Sequence, residues 1–124
     1  MTSPLTITER AAGDVRIFAL SGLLVAEEGV RTLRMAIASA VAGGARGCLL
    51  DLSDVSYVDS AGVGCLVAAF RHVTARGGQV KLLRPSLCVR HVLGIAHLTR
   101  VFDVFDTEAD ALLNMAGPVV VPHA

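Results

Sequence analysis

The chain has 124 residues, enough to bury about two-thirds of its unfolded surface in one hydrophobic core and too few for two full-sized domains. Eleven basic residues balance eleven acidic ones, so the global charge offers no attraction to nucleic acid or anionic lipid. Hydrophobic residues make up 53%, which points to strands buried on both faces or to an apolar patch kept for a partner.

In chain order, Leu5 and Ile7 alternate with threonines as in a half-buried strand. Residues 15–20 give a second strand, antiparallel to the first across a turn at Ala12, Gly13 and Asp14. After Gly22 and the run LLVAEE, the residues Val30, Leu33, Ile37 and Val41 recur at helical spacing until Gly43 and Gly44 stop them. Residues 47–52 are apolar on both faces, the pattern of a central parallel strand covered by helices. A tight polar turn then leads into a helix starting at Ser60, with Val63, Leu66, Val67, Phe70 and Val73 on one stripe and Gly77 and Gly78 at its end. Residues 79–83 are strand-like, and Pro85 and Ser86 open a short helix carrying Val89, Val92 and Leu93. A strand follows near residues 101–105, and a last helix starts at Thr107 with Glu108 and Asp110 in its first turn, where the dipole favours acids.

The order β-β-α-β-α-β-α-β-α predicts one α/β domain over residues 1–116, with a mixed, mostly parallel sheet of about five strands and about four helices. Residues 117–124 hold two prolines around three valines and read as a C-terminal tail able to cover an edge. Cys48, Cys65 and Cys88 are an odd number without staple-like spacing, as expected of free thiols in a reducing compartment. The N-terminus has no basic segment before an apolar run, and residues 17–26 are too short to cross a bilayer, so the expectation is a cytoplasmic protein without membrane insertion. The basic run over residues 71–100 and the acidic one over 103–110 read as solvated surface.

Strand-to-helix loops of such a sheet emerge at the carboxyl edge of the parallel strands, where these folds place their sites. Residues 22–27, 54–60 and 84–86 should therefore meet on one rim. On structural grounds Ser60 is an N-cap, its side-chain oxygen accepting a first-turn N–H for about 1 kcal/mol. Asp59 before it, with Gly62 and Gly64 after it, singles it out as a point of recognition: the glycines cost helix stability but leave backbone open to close approach. Ser53 and Ser56 read first as turn residues.

The run DLSDVSYVDSAGVGCL at residues 51–66, followed by GGQVKLL, PSLCVRHVL and VFDVFDTEADAL, resembles the STAS domain of the bacterial anti-sigma factor antagonist family over residues 5–115. The signature positions are Asp51, Ser53, Asp59, Ser60, Ala61, Gly62, Val63 and Gly64. The resemblance implies phosphorylation of Ser60 by an anti-sigma factor with serine kinase activity. Unphosphorylated antagonist would hold that factor and free the sigma factor, phosphorylated antagonist would let go, and a phosphatase would reset it, all without direct contact with nucleic acid. A phosphate adds roughly −1.5 to −2 charges, which a helix N-terminus tolerates and a close interface does not.

The candidate partner-binding residues are Leu23, Leu24, Val25, Ser56, Asp59, Ser60, Ala61, Gly62, Val63, Gly64 and Arg84. Many members of the family carry acids after the second strand, in a pattern like S-G-E-L-D. Here that run is Ser21, Gly22, Leu23, Leu24, Val25, which either caps the core or forms an apolar docking patch. Glu27 and Glu28 suit the start of a helix.

Two other classes stay open beside this reading. One is a non-switching STAS adaptor in a transport or stress-sensing complex. The other is a hydrolase with Ser60 as nucleophile, for which the G-x-S-x-G elbow is missing and His72 lies about three helical turns away, roughly 18 Å. His72, His91, His97 and His123 read as surface or core-edge residues, and no spacing in the chain suggests a metal site or a phosphate-binding loop. No cofactor is expected.

Overall fold

The first two strands form a hairpin, residues 6–12 and 15–24, with Gly13 supplying the left-handed turn between them at φ 63°. Strand β1 (Thr6–Ala12) pairs antiparallel with β2 (Val15–Leu24), from Thr6 opposite Ser21 to Ala12 opposite Val15. The computed structural model describes residues 4–115, so the expected tail and His123 lie outside the described residues. Helix α1 (Ala26–Ala42), β3 (Gly47–Val58), α2 (Ser60–Thr74), β4 (Gln79–Leu83), α3 (Leu87–Ile95), β5 (Val104–Phe105) and α4 (Glu108–Met115) follow in the predicted order.

The five strands form one sheet in sequence order, parallel from β2 onward, with β3 in the centre. Strands added in one direction by right-handed crossovers put their helices on one face. Accordingly Leu33 and Ile37 of α1, Leu66 and Val73 of α2, and Val89 and Leu93 of α3 pack with Phe18, Leu50 and Leu82 in one core. Helix α4 closes the other face, where Ala111 and Met115 cover Val15, Ile17, Leu49 and Leu83. Burial of strands on both faces therefore accounts for much of the apolar composition.

Three boundaries differ from the sequence reading. Strand β2 runs four residues past Leu20, to Leu24, and β3 runs six past Leu52, to Val58. The loop expected over residues 54–60 is strand as far as Val58, and the three-residue steps between Leu52, Val55 and Val58, all buried, disguised it. Two bulges cause that spacing: Ala19 and Ser21 face Asp51 and Asp54, and Gly22 and Leu23 face Val55 and Tyr57, so β3 gains one extra residue at each step. The last strand is only Val104–Phe105, since residues 101–102 form a turn and bend. No helix among the described residues is long and apolar enough to cross a membrane.

Candidate functional site

The lengthened strands leave very short connections at the carboxyl edge. Val25 alone joins β2 to α1, Asp59 alone joins β3 to α2, and residues 84–86 join β4 to α3. Side chains from these connections hold one another. Asp59 Oδ1 accepts the Gly62 N–H at 2.8 Å and Oδ2 accepts the Ala26 N–H at 3.0 Å, so one carboxylate caps the starts of α2 and α1 together. The N-cap of α2 is thus Asp59, and the sequence reading of Ser60 in that role is corrected. An acceptor is needed at α1 because Val25, its own N-cap residue, has no side-chain acceptor, while Ala26 sits at φ 34°, a left-handed conformation that costs an alanine energy.

Asp51 and Ser53 have a structural explanation in the first bulge. Asp51 Oδ1 accepts both the Ser53 N–H at 3.1 Å and the Ser53 hydroxyl at 2.8 Å, and Oδ2 accepts from Arg84 at 3.0 Å. Ser56 donates to the Gly22 carbonyl at 3.2 Å and ties the second bulge to β2. Neither serine is in a turn, contrary to expectation; both are strand residues at bulges. Arg84 is itself left-handed at φ 43°, so two of the three non-glycine residues with positive φ among the described residues lie on this rim. Ser86 completes it: its N–H bonds the Leu52 carbonyl, and its hydroxyl donates to the Val55 carbonyl while accepting the Val89 N–H.

Ser60 is exposed, and among the described residues none takes a hydrogen bond from its hydroxyl. Ala61 and Gly64 are exposed beside it, whereas Val63 packs partly against the core. The two glycines have different reasons. A Cβ on Gly62 would lie 2.1 Å from the Leu24 carbonyl oxygen and 2.7 Å from Val58 Cγ2, so this glycine lets α2 start against β2. Its expected role as open backbone for another molecule is corrected, and only Gly64, with nothing within 4 Å, keeps it. Leu24 is 1% exposed and belongs to the core, not to a docking patch; Leu23 and Val25 are half-buried. Two rim residues escaped the sequence reading. Tyr57, 51% exposed, stands opposite Leu23 on the bulged strand, and Leu87, 85% exposed, opens α3. The signal for Tyr57 was being the one tyrosine in the chain, set among polar residues.

The rim presents a free hydroxyl at a helix N-terminus, flanked by small residues and held by a carboxylate already engaged twice. His72 lies on the same helix, twelve residues from Ser60 in sequence or about 18 Å along the axis, far from a base's reach. Among the described residues no group of three or more His, Cys, Asp or Glu side chains is placed to hold a metal. Cys65, beneath this end of α2, is buried and its thiol pKa is pushed up by that burial.

The sequence profile of the STAS domain matches residues 6–111. A protein of Thermotoga neapolitana, provisionally named an anti-sigma factor antagonist, is 38% identical over 69 residues, which is 56% of this chain and 61% of that protein. A similarly named protein of Thermotoga maritima is 33% identical over 63 residues, 51% of this chain and 56% of its own length, so the match spans little more than half of these relatives. Among solved structures, the anti-sigma factor antagonist SpoIIAA in its unphosphorylated form superposes with a TM-score of 0.79 at 26% identity, over 93% of this chain and all of that one.

Proposed function

The chain belongs to the STAS-domain family, and on that premise we propose that it is a cytoplasmic anti-sigma factor antagonist, a binding module that switches partners through phosphorylation of Ser60. The observation that carries this is the Ser60 hydroxyl, exposed at the start of α2 and free of any structural duty because Asp59 caps the helix. SpoIIAA, whose fold this chain shares, is known in both unphosphorylated and phosphorylated forms.

The chemistry supports such a switch. Phosphate on Ser60 places a dianion beside the Asp59 carboxylate, on a surface where a close-packed partner would have to desolvate both. The first-turn N–H groups of α2 soften the cost to the fold itself. Unphosphorylated protein binds the anti-sigma factor; phosphorylated protein releases it. The kinase is the anti-sigma factor, and a phosphatase restores the hydroxyl.

Incubation with candidate anti-sigma kinases and ATP, followed by phosphate mapping with mass spectrometry, tests the reading. Modification at Ser60 is the expected result, with Ser60→Ala binding the anti-sigma factor constitutively and Ser60→Asp binding it weakly. Equal affinity of the two variants refutes the switch. Absence of phosphate with every kinase favours a non-switching adaptor, a reading supported by the hydrophobic Val25 where many members of the family carry an acid.

A further inference from the structure

A trough runs down the α1–α2 face from the Ser60 end. Its upper part, about 650 Å³, has Val30 and Ile37 on one wall and Ala61, Gly64 and Ala68 on the other. The lower part, about 630 Å³, shares Ala38 and His72 with the first and ends at Gly44 and Gly78. The cationic groups along it are Arg34, Arg46 and Arg76, with the His72 ring among them, and no carboxylate lines it. None of the three arginines is in an ion pair among the described residues; Arg76 contacts only the His72 ring, at 3.2 Å.

We propose that this trough docks an amphipathic helix of a partner protein, with its apolar face over Gly64 and Ala68 and its carboxylates toward Arg34, His72, Arg76 and Arg46. Two features select that occupant. Both walls are helices whose own backbone groups are already bonded, so an extended peptide would leave its N–H and C=O groups unmet on an apolar floor, whereas a helix satisfies its own. The charge is one-sided, so an acidic partner is drawn in and a basic one repelled. From Ala61 to His72 the trough follows α2 for about 16 Å, roughly three helical turns.

This inference deepens the reading above by naming the chemistry of the partner's face. It rests on that reading only for the effect of phosphate: a dianion on Ser60, at the head of the trough, lowers the attraction for an acidic helix. The polarity of release then follows from charge.

The test is selection from a phage-displayed library of random peptides of about 16 residues on the immobilised full chain, with affinities of enriched sequences read by fluorescence anisotropy. The expected winners carry apolar residues at i, i+3 or i+4, and i+7, with net negative charge. Ala68→Trp, which fills the trough from its exposed α2 wall, should weaken them at least about tenfold. The Arg34→Glu, Arg76→Glu double variant should instead select net-positive helices. No enrichment, winners without helical periodicity, basic winners on the parent chain, or binding that survives Ala68→Trp overturns the proposal. So does binding of phosphatidylglycerol vesicles that the enriched peptides do not displace. Peptides that bind as described to a chain never phosphorylated at Ser60 leave the docking surface standing and remove only the switch.

Discussion

Replacing Asp59 by alanine takes one acceptor from two helix starts at once. The Gly62 N–H loses an N-cap partner, worth about 1 kcal/mol against alanine. The Ala26 N–H loses a charged acceptor, but water reaches that exposed site, so its share falls to about 0.5–1 kcal/mol. Together the loss is about 2 kcal/mol. With an unfolding entropy near 2.1 cal/mol/K per residue, a chain of this length should melt about 8 °C lower. Asp59→Asn keeps one acceptor oxygen and should lose about half as much. Circular-dichroism melts give the total, and amide exchange by NMR apportions it, since both the Ala26 and Gly62 N–H groups should lose protection together. An alanine variant melting within about 2 °C of the parent, or one that deprotects Gly62 alone, would refute the idea of a shared cap.

Gly62→Ala and Gly64→Ala should move stability in opposite directions: the first forces a Cβ into the Leu24 carbonyl and costs about 3 kcal/mol, while the second has open space and gains about 0.5–1 kcal/mol of helix propensity, both measurable by urea denaturation. Ser60→Asp should leave the stability within about 0.5 kcal/mol of the parent, because the side chain is exposed and makes no hydrogen bond among the described residues. Burial pushes the Cys48 thiol up to about 11. Below about pH 9 native and unfolded thiols are both protonated; between 9 and 11 only the unfolded one ionises, so stability falls as pH rises, by up to about 1.4 kcal/mol per unit, and Cys48→Ala should flatten that slope in pH-dependent melts. In the native protein, Ellman titration should register half-buried Cys88 first and the buried Cys48 and Cys65 only on unfolding.

The order of elements was legible because each helix carries its apolar stripe and each strand its run, and the glycine pairs at Gly43–Gly44 and Gly77–Gly78 mark where α1 and α2 end. What stayed hidden came from contacts between distant residues. The bulges in β3 show only in its register against β2, where Ser56 meets the Gly22 carbonyl, and they turn a two-residue period into a three-residue one that reads as a turn. Asp59 shows the same limit. A local rule puts either Asp59 or Ser60 at the N-cap; Asp59 takes the Gly62 N–H, and its other oxygen reaches Ala26, thirty-three residues away, which nothing local reveals. Leu24 looked like part of an exposed loop because nothing local reveals that β2 continues beneath α2.

The two borders of the sheet are fastened differently. At the first, β1 makes a seven-pair antiparallel ladder with β2. At the last, β5 pairs only Val104 with Leu82 and Phe105 with Leu83. Beside that short ladder, ion pairs Arg10–Glu108, Lys81–Asp103 and Arg90–Asp106 all end on residues 103–108. Exposed pairs of this kind contribute about 0–1 kcal/mol each, and their reach shrinks from about 8 Å at physiological ionic strength to about 3 Å at 1 M salt. An exposed pair, Glu9–Arg16, also bridges β1 and β2, but it adds to a seven-pair ladder, so the β1 border should lose little as salt rises while the β5 border, with two pairs, loosens more. Ionic strength thus becomes a handle that weighs more on one side of this domain than on the other.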